Sequence, residues 1–113
     1  MPIVIINGPI IAAGESLSAP LDCSAGKIIK ITMPGNWTKA ELTFQTSSDG
    51  VLYNDIFERD GQEVMCAVQP GTAIIGLPLI VGFIKFRSGT RARAVPQAEL
   101  REFAVAIDTY GIN

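Results

Sequence analysis

The chain has 113 residues, 48% of them hydrophobic and 18% charged, with a formal net charge of −2 and no histidine. A chain of this length builds one core rather than two domains, and its apolar fraction excludes disorder. The slightly acidic balance gives no general attraction to nucleic acid, and the missing imidazole removes Ser-His and Cys-His nucleophile pairs.

Residues 2–13 are apolar except where Asn7-Gly8-Pro9 gives a turn signal, so the segment is either an edge hairpin or an extended arm. We set it apart as residues 1–13, followed by a single sandwich domain at 14–113. A sticky apolar edge is covered in one of two ways, by packing along its own sandwich or by pairing with a neighbouring subunit. Ile3, Val4, Ile5, Ile6, Ile10 and Ile11 are therefore candidate partner-binding residues. The early Asn-Gly-Pro interruption does not fit a secretory signal, which leads us to expect a cytoplasmic site of synthesis.

Leu17, Ala19, Leu21 and Cys23 then alternate with polar residues, and Pro20 suggests an edge strand. The isoleucine-rich residues 27–33 read as a buried strand stopped by Pro34-Gly35. Trp37 lies on the approach to the clearest strand. There Leu42 and Phe44 are expected inward, and Glu41, Thr43 and Gln45 outward, before the Asp49-Gly50 turn. Residues 51–57 bring Tyr53, Ile56 and Phe57 to another strand. After Asp60-Gly61, Val64, Cys66 and Val68 alternate against Glu63, Met65, Ala67 and Gln69. Further strands are expected at 73–77, 83–88 and 103–108, with one helical turn near 97–102. The apolar stretch 74–84 is interrupted by Gly76, Pro78 and Gly82 and is too short to cross a bilayer.

Residues 88–98 form a long connection of small, basic and proline residues, either ordered by a partner or simply solvated. On extended backbone Arg91 and Arg93 point the same way, and two guanidinium forks suit a carboxylate-bearing partner. They complete the candidate partner-binding set. Acids dominate residues 41–63, and Lys85, Arg87, Arg91, Arg93 and Arg101 dominate the later stretch. Such segments either pair head to tail between copies or form two solvated faces. Cys23 and Cys66 read as reduced core thiols, with a disulfide open to them if their strands are neighbours. Metal-ligand spacing, calcium loops and phosphate loops are missing from the sequence, so neither catalytic residues nor a cofactor or metal is expected.

Taken in order, Gly14-Glu15-Ser16-Leu17-Ser18, Met33-Pro34 with Trp37, Leu42-Thr43-Phe44-Gln45, Ser48-Asp49-Gly50, Phe86-Arg87-Ser88-Gly89 and Val95-Pro96-Gln97 carry a resemblance. The chain resembles small proteins encoded in bacteriophage and prophage structural-gene clusters, with jelly-roll sandwiches similar in outline to discoidin-type, galactose-binding-like domains. The resemblance spans most of residues 13–103. Together with the strand pattern it implies an all-β, jelly-roll-like antiparallel β-sandwich of about eight strands. It further implies a virion component, such as a capsid decoration or cement protein, made in the host bacterial cytoplasm. The expected partners are copies of itself and phage capsid or other virion proteins, with neither nucleic acid nor membrane. The alternative is a glycan-binding adhesion module, to which Tyr53, Arg91 and Arg93 would contribute while Trp37 serves the core.

Overall fold

The computed structural model describes residues 3–76 and 82–109. Among them are nine strands and no helix: β1 (Ile3–Ile11), β2 (Leu21–Asp22), β3 (Lys27–Thr32), β4 (Leu42–Ser47), β5 (Asn54–Asp55), β6 (Met65–Cys66), β7 (Ala73–Ile75), β8 (Phe83–Ser88) and β9 (Arg101–Asp108). One antiparallel sheet runs β1-β9-β3-β7. The other runs β2-β8-β4-β5, with β6 also on β4. From β1 to β4 the chain switches sheet at every strand, and β8 and β9 return between earlier ones. That is the jelly-roll arrangement, in agreement with the expected all-β sandwich.

Alternation along the central strands builds the core. Phe103, Val105 and Ile107 from β9 meet Leu42 and Phe44 from β4 and Ile84 and Phe86 from β8. A register shift between Ile28 and Lys30 lets β3 bury both Ile28 and Ile31 despite their odd spacing. Edge-to-face ring pairs run from Trp37 through Phe103 and Phe86 to Phe44, with centroids 5.5, 5.0 and 5.4 Å apart. Trp37 donates its indole N–H to the Ala40 carbonyl at 3.1 Å, so its polar edge is satisfied where it closes the core.

Some expectations need correcting. Thr43 was expected outward in solvent, yet it is fully buried because Arg87 from β8 lies across it. The strand over residues 17–23 shrinks to β2 plus a bridge between Leu17 and Arg87. Between them Ser18 uses its hydroxyl to accept the Phe86 N–H at 2.9 Å. The strand expected at 51–57 shrinks to β5 plus a bridge between Phe57 and Glu63, because the Asp49 carboxylate collects the amides of Val51 and Leu52 into a turn. No helical turn forms near 97–102: Gln97 is buried in a loop, and β9 has begun by Arg101. Pro2 of the expected arm and Leu77 of the expected 73–77 strand lie outside the described residues. Cys23 and Cys66 are free thiols, the first donating to the Gly82 carbonyl at 3.0 Å.

Candidate interaction surface

The apolar N-terminal segment packs along its own sandwich. β1 pairs with β9 from Ile3 opposite Asp108 to Ile11 opposite Arg101, with a register shift between Asn7 and Ile10. Val4 and Ile6 oppose the inward Ile107 and Val105, whereas Ile3, Ile5 and Asn7 oppose Asp108, Ala106 and Ala104 on the outer face. Ile6 is half-buried against the core, and Ile11 is wholly inside it. Of the candidates in this segment, Ile11 is thus unavailable to any partner. Ile3, Val4, Ile5 and Ile10 are 40, 47, 61 and 39% exposed.

β1 is the last strand of its sheet. Its second half is partly covered, since the Ala19 N–H donates to the Ile10 carbonyl at 3.2 Å. Among the described residues, no strand pairs with the outer side of residues 3–7. This stretch presents backbone donors, backbone acceptors and isoleucine side chains, with no charge among them. Native edges are usually guarded by charge, proline or a bulge, and residues 3–7 have none of these.

The charged residues tell a different story. Arg87 donates through Nε to Thr43 Oγ1 at 3.0 Å, through Nη1 to Asp55 Oδ1 at 2.6 Å and through Nη2 to Glu63 Oε2 at 2.6 Å. The Thr43 hydroxyl in turn donates a hydrogen bond to the Gly89 carbonyl at 2.7 Å. Arg91 adds a looser contact from Nε to Asp55 Oδ2 at 3.4 Å, and its backbone N–H donates to the Glu63 carboxylate. Lys85 Nζ sits 4.4 Å from the centre of the Tyr53 ring, and the Arg91 guanidinium lies 5.9 Å from that of Phe57. Acidic and basic segments therefore meet inside one molecule, on the outer face of β4, β5 and β8. Sequence reasoning missed this cluster. The opposite charges of the two segments were visible, but the Thr43–Arg87 register that joins them links distant parts of the chain.

The connection at 88–98 is fastened rather than slack. Thr90 and Arg93 exchange backbone hydrogen bonds at 2.9 and 3.1 Å, closing a tight turn, so the extended backbone expected to align Arg91 with Arg93 is not there. Arg91 turns toward Asp55, and Arg93 stays exposed. The buried Gln97 side chain accepts from the Thr38 amide and Arg101 Nε, each at 2.9 Å, and donates to the Thr38 carbonyl and Ser88 Oγ.

Burial pushes the Cys23 and Cys66 thiols up from their ordinary range. The amides of Val51 and Leu52 and the Ser47 hydroxyl hold the Asp49 carboxyl below its own. Each shift belongs to a turn or to the core, and the edge of β1 contains no titrating group. Its means of recognition are backbone pairing and apolar contact, whereas the Arg87 cluster is already internally satisfied. Comparison of the chain with protein-family models, curated proteins and solved structures returned no match.

Proposed function

We propose that this chain is a structural subunit of a bacteriophage particle, a capsid decoration or cement protein held in place by contacts between subunits. The single observation that carries the assembly reading is the uncharged edge at residues 3–7, which exposes apolar side chains beside unpaired backbone. Its placement on a virion follows from the resemblance in motif order. A glycan-binding role is less well supported by the same surface. The Tyr53 ring has Lys85 over it and Arg91 is engaged by Asp55, so two of the three groups expected for sugar contact already have partners in the chain, leaving the exposed Arg93.

Particles produced with and without the protein test this reading. The expected result is co-sedimentation of many copies with the particle, lost in the Ile5→Lys variant while its melting temperature is kept. A chain that never co-sediments with particles but binds defined sugars on a glycan array would replace the decoration reading with the adhesion module.

A further inference from the structure

We infer that the open side of β1 is a self-pairing edge: residues 3–7 of two copies join antiparallel about Ile5, merging two four-stranded sheets into one of eight strands. The inference rests on the assembly reading of that edge and names its partner as a second copy of this chain.

The direction of the backbone comes first. In an antiparallel ladder, successive residues turn their N–H and C=O alternately toward one neighbour and the other. Ile10 lies opposite Glu102, and its carbonyl points away from β9, where it accepts the Ala19 N–H. Glu102, Ala104, Ala106 and Asp108 share one phase of β9, so Asn7, Ile5 and Ile3, which face the last three, also turn their backbone groups away from β9. That leaves three donor–acceptor sets in a row on the open side.

Side chains give the second argument. A strand covered on both faces reads as a continuous apolar run, and Ile3-Val4-Ile5-Ile6 reads that way although it lies at an edge. Val4 belongs to the core-facing phase, opposite the buried Ile107, yet it is 47% exposed, and among the described residues no strand flanks it on the open side. Pairing about Ile5 sets Ile5 against the second copy's Ile5, Val4 against its Ile6 and Ile3 against its Asn7. Every such pair shares a face of the sheet, as opposed residues must.

Charge favours a copy over a charged partner. The row Lys30, Ala106, Ile5 continues across the two-fold axis in reverse, placing the two lysines at the far ends of an apolar centre. Asp108, the acidic residue opposite Ile3, has Lys27 of its own chain directly opposite on β3. The seam therefore brings no like charges together, and the same patch serves both subunits. Five paired residues bury less than the roughly 800 Å² per partner of a standard interface, so the free dimer is weak and concentration-dependent. Many copies held on one surface would strengthen it.

Sedimentation velocity from about 10 μM to about 1 mM, the range suited to a weak dimer, is the test. The wild-type chain should shift from monomer to dimer. Ile5→Lys, which sets two ammonium groups face to face, should stay monomeric with an unchanged melting temperature, and Ile10→Lys, outside the seam, should still dimerise. Mild oxidation of Ile5→Cys should give a disulfide-linked dimer, while the wild type, with only Cys23 and Cys66, should not. A wild-type chain that remains monomeric throughout, an Ile5→Lys variant that dimerises equally well, or an Ile5→Cys chain that fails to cross-link would overturn self-pairing. Particle binding by a chain that stays monomeric would overturn self-pairing alone and leave the assembly reading standing. Loss of particle binding with the dimer intact would do the reverse.

Discussion

Arg87 carries the most consequential set of contacts made by any one side chain. Its guanidinium is nearly buried and joins β8 to β4, β5 and the β6 approach through Thr43, Asp55 and Glu63. Removing one partner of a buried ion pair leaves the others desolvated and unpaired, which is worse than never having made the pair. Arg87→Met should therefore lower stability by about 3 kcal/mol in urea unfolding, near the low end for such a break. Lys85→Ala on the same face loses a single half-buried cation–ring contact and should cost about 1 kcal/mol. The two partly or fully buried thiols, Cys66 and Cys23, give a pH signature. Their folded-state pKa values lie above the ordinary 9.0, so the stabilisation they provide is complete below that pH and is lost as pH rises through the folded values. Unfolding measured from pH 7 upward should show the wild type losing its advantage over a Cys23→Ala, Cys66→Ala variant in the alkaline range, and a constant difference would contradict the shift.

At the scale of the element, β1 has two different ends. Ile11 is in the core, so Ile11→Ala should cost about 2–5 kcal/mol, whereas the exposed Ile5 accepts substitution with little change in melting temperature. Deleting the whole segment would therefore confuse unfolding with loss of assembly, and point changes at residues 3–7 are the cleaner probe. The turn at Gly89 has a comparable sensitivity. Its φ is +93°, and an added Cβ would collide with the backbone of Arg93 and Val95, so Gly89→Ala should lower the melting temperature markedly and loosen the Thr90–Arg93 turn. Strand phases were legible where they are local: Leu42 with Phe44, and Val64 with Cys66 and Val68, follow from alternation alone. Thr43 was misplaced because its cover comes from a strand far away in sequence. The basic loop was misread for the same reason, since Glu63, Glu41 and Glu15 fasten it from three separate segments.

For the molecule as a whole, the apolar excess in the composition has two destinations. Most of it fills the space between the sheets, and the exposed remainder is divided between β1, where Ile3, Val4, Ile5 and Ile10 lie on one strand, and scattered positions such as Val51, Leu52 and Ile75. Among the charges, Asp55 and Glu63 are taken up within the chain by Arg87 and Arg91. Jelly-roll topology explains the division, because it places β8 beside β4 and leaves β1 at the end of a sheet. The sequence displayed the sticky segment plainly but not its pairing with β9, which depends on bringing the two ends of the chain together. Electron cryomicroscopy of phage particles carrying the protein tests the central claim most directly. The account predicts several jelly-roll copies on the particle with residues 3–7 of each against a neighbouring subunit, and particles without such copies, or copies whose β1 edge faces solvent, would contradict it.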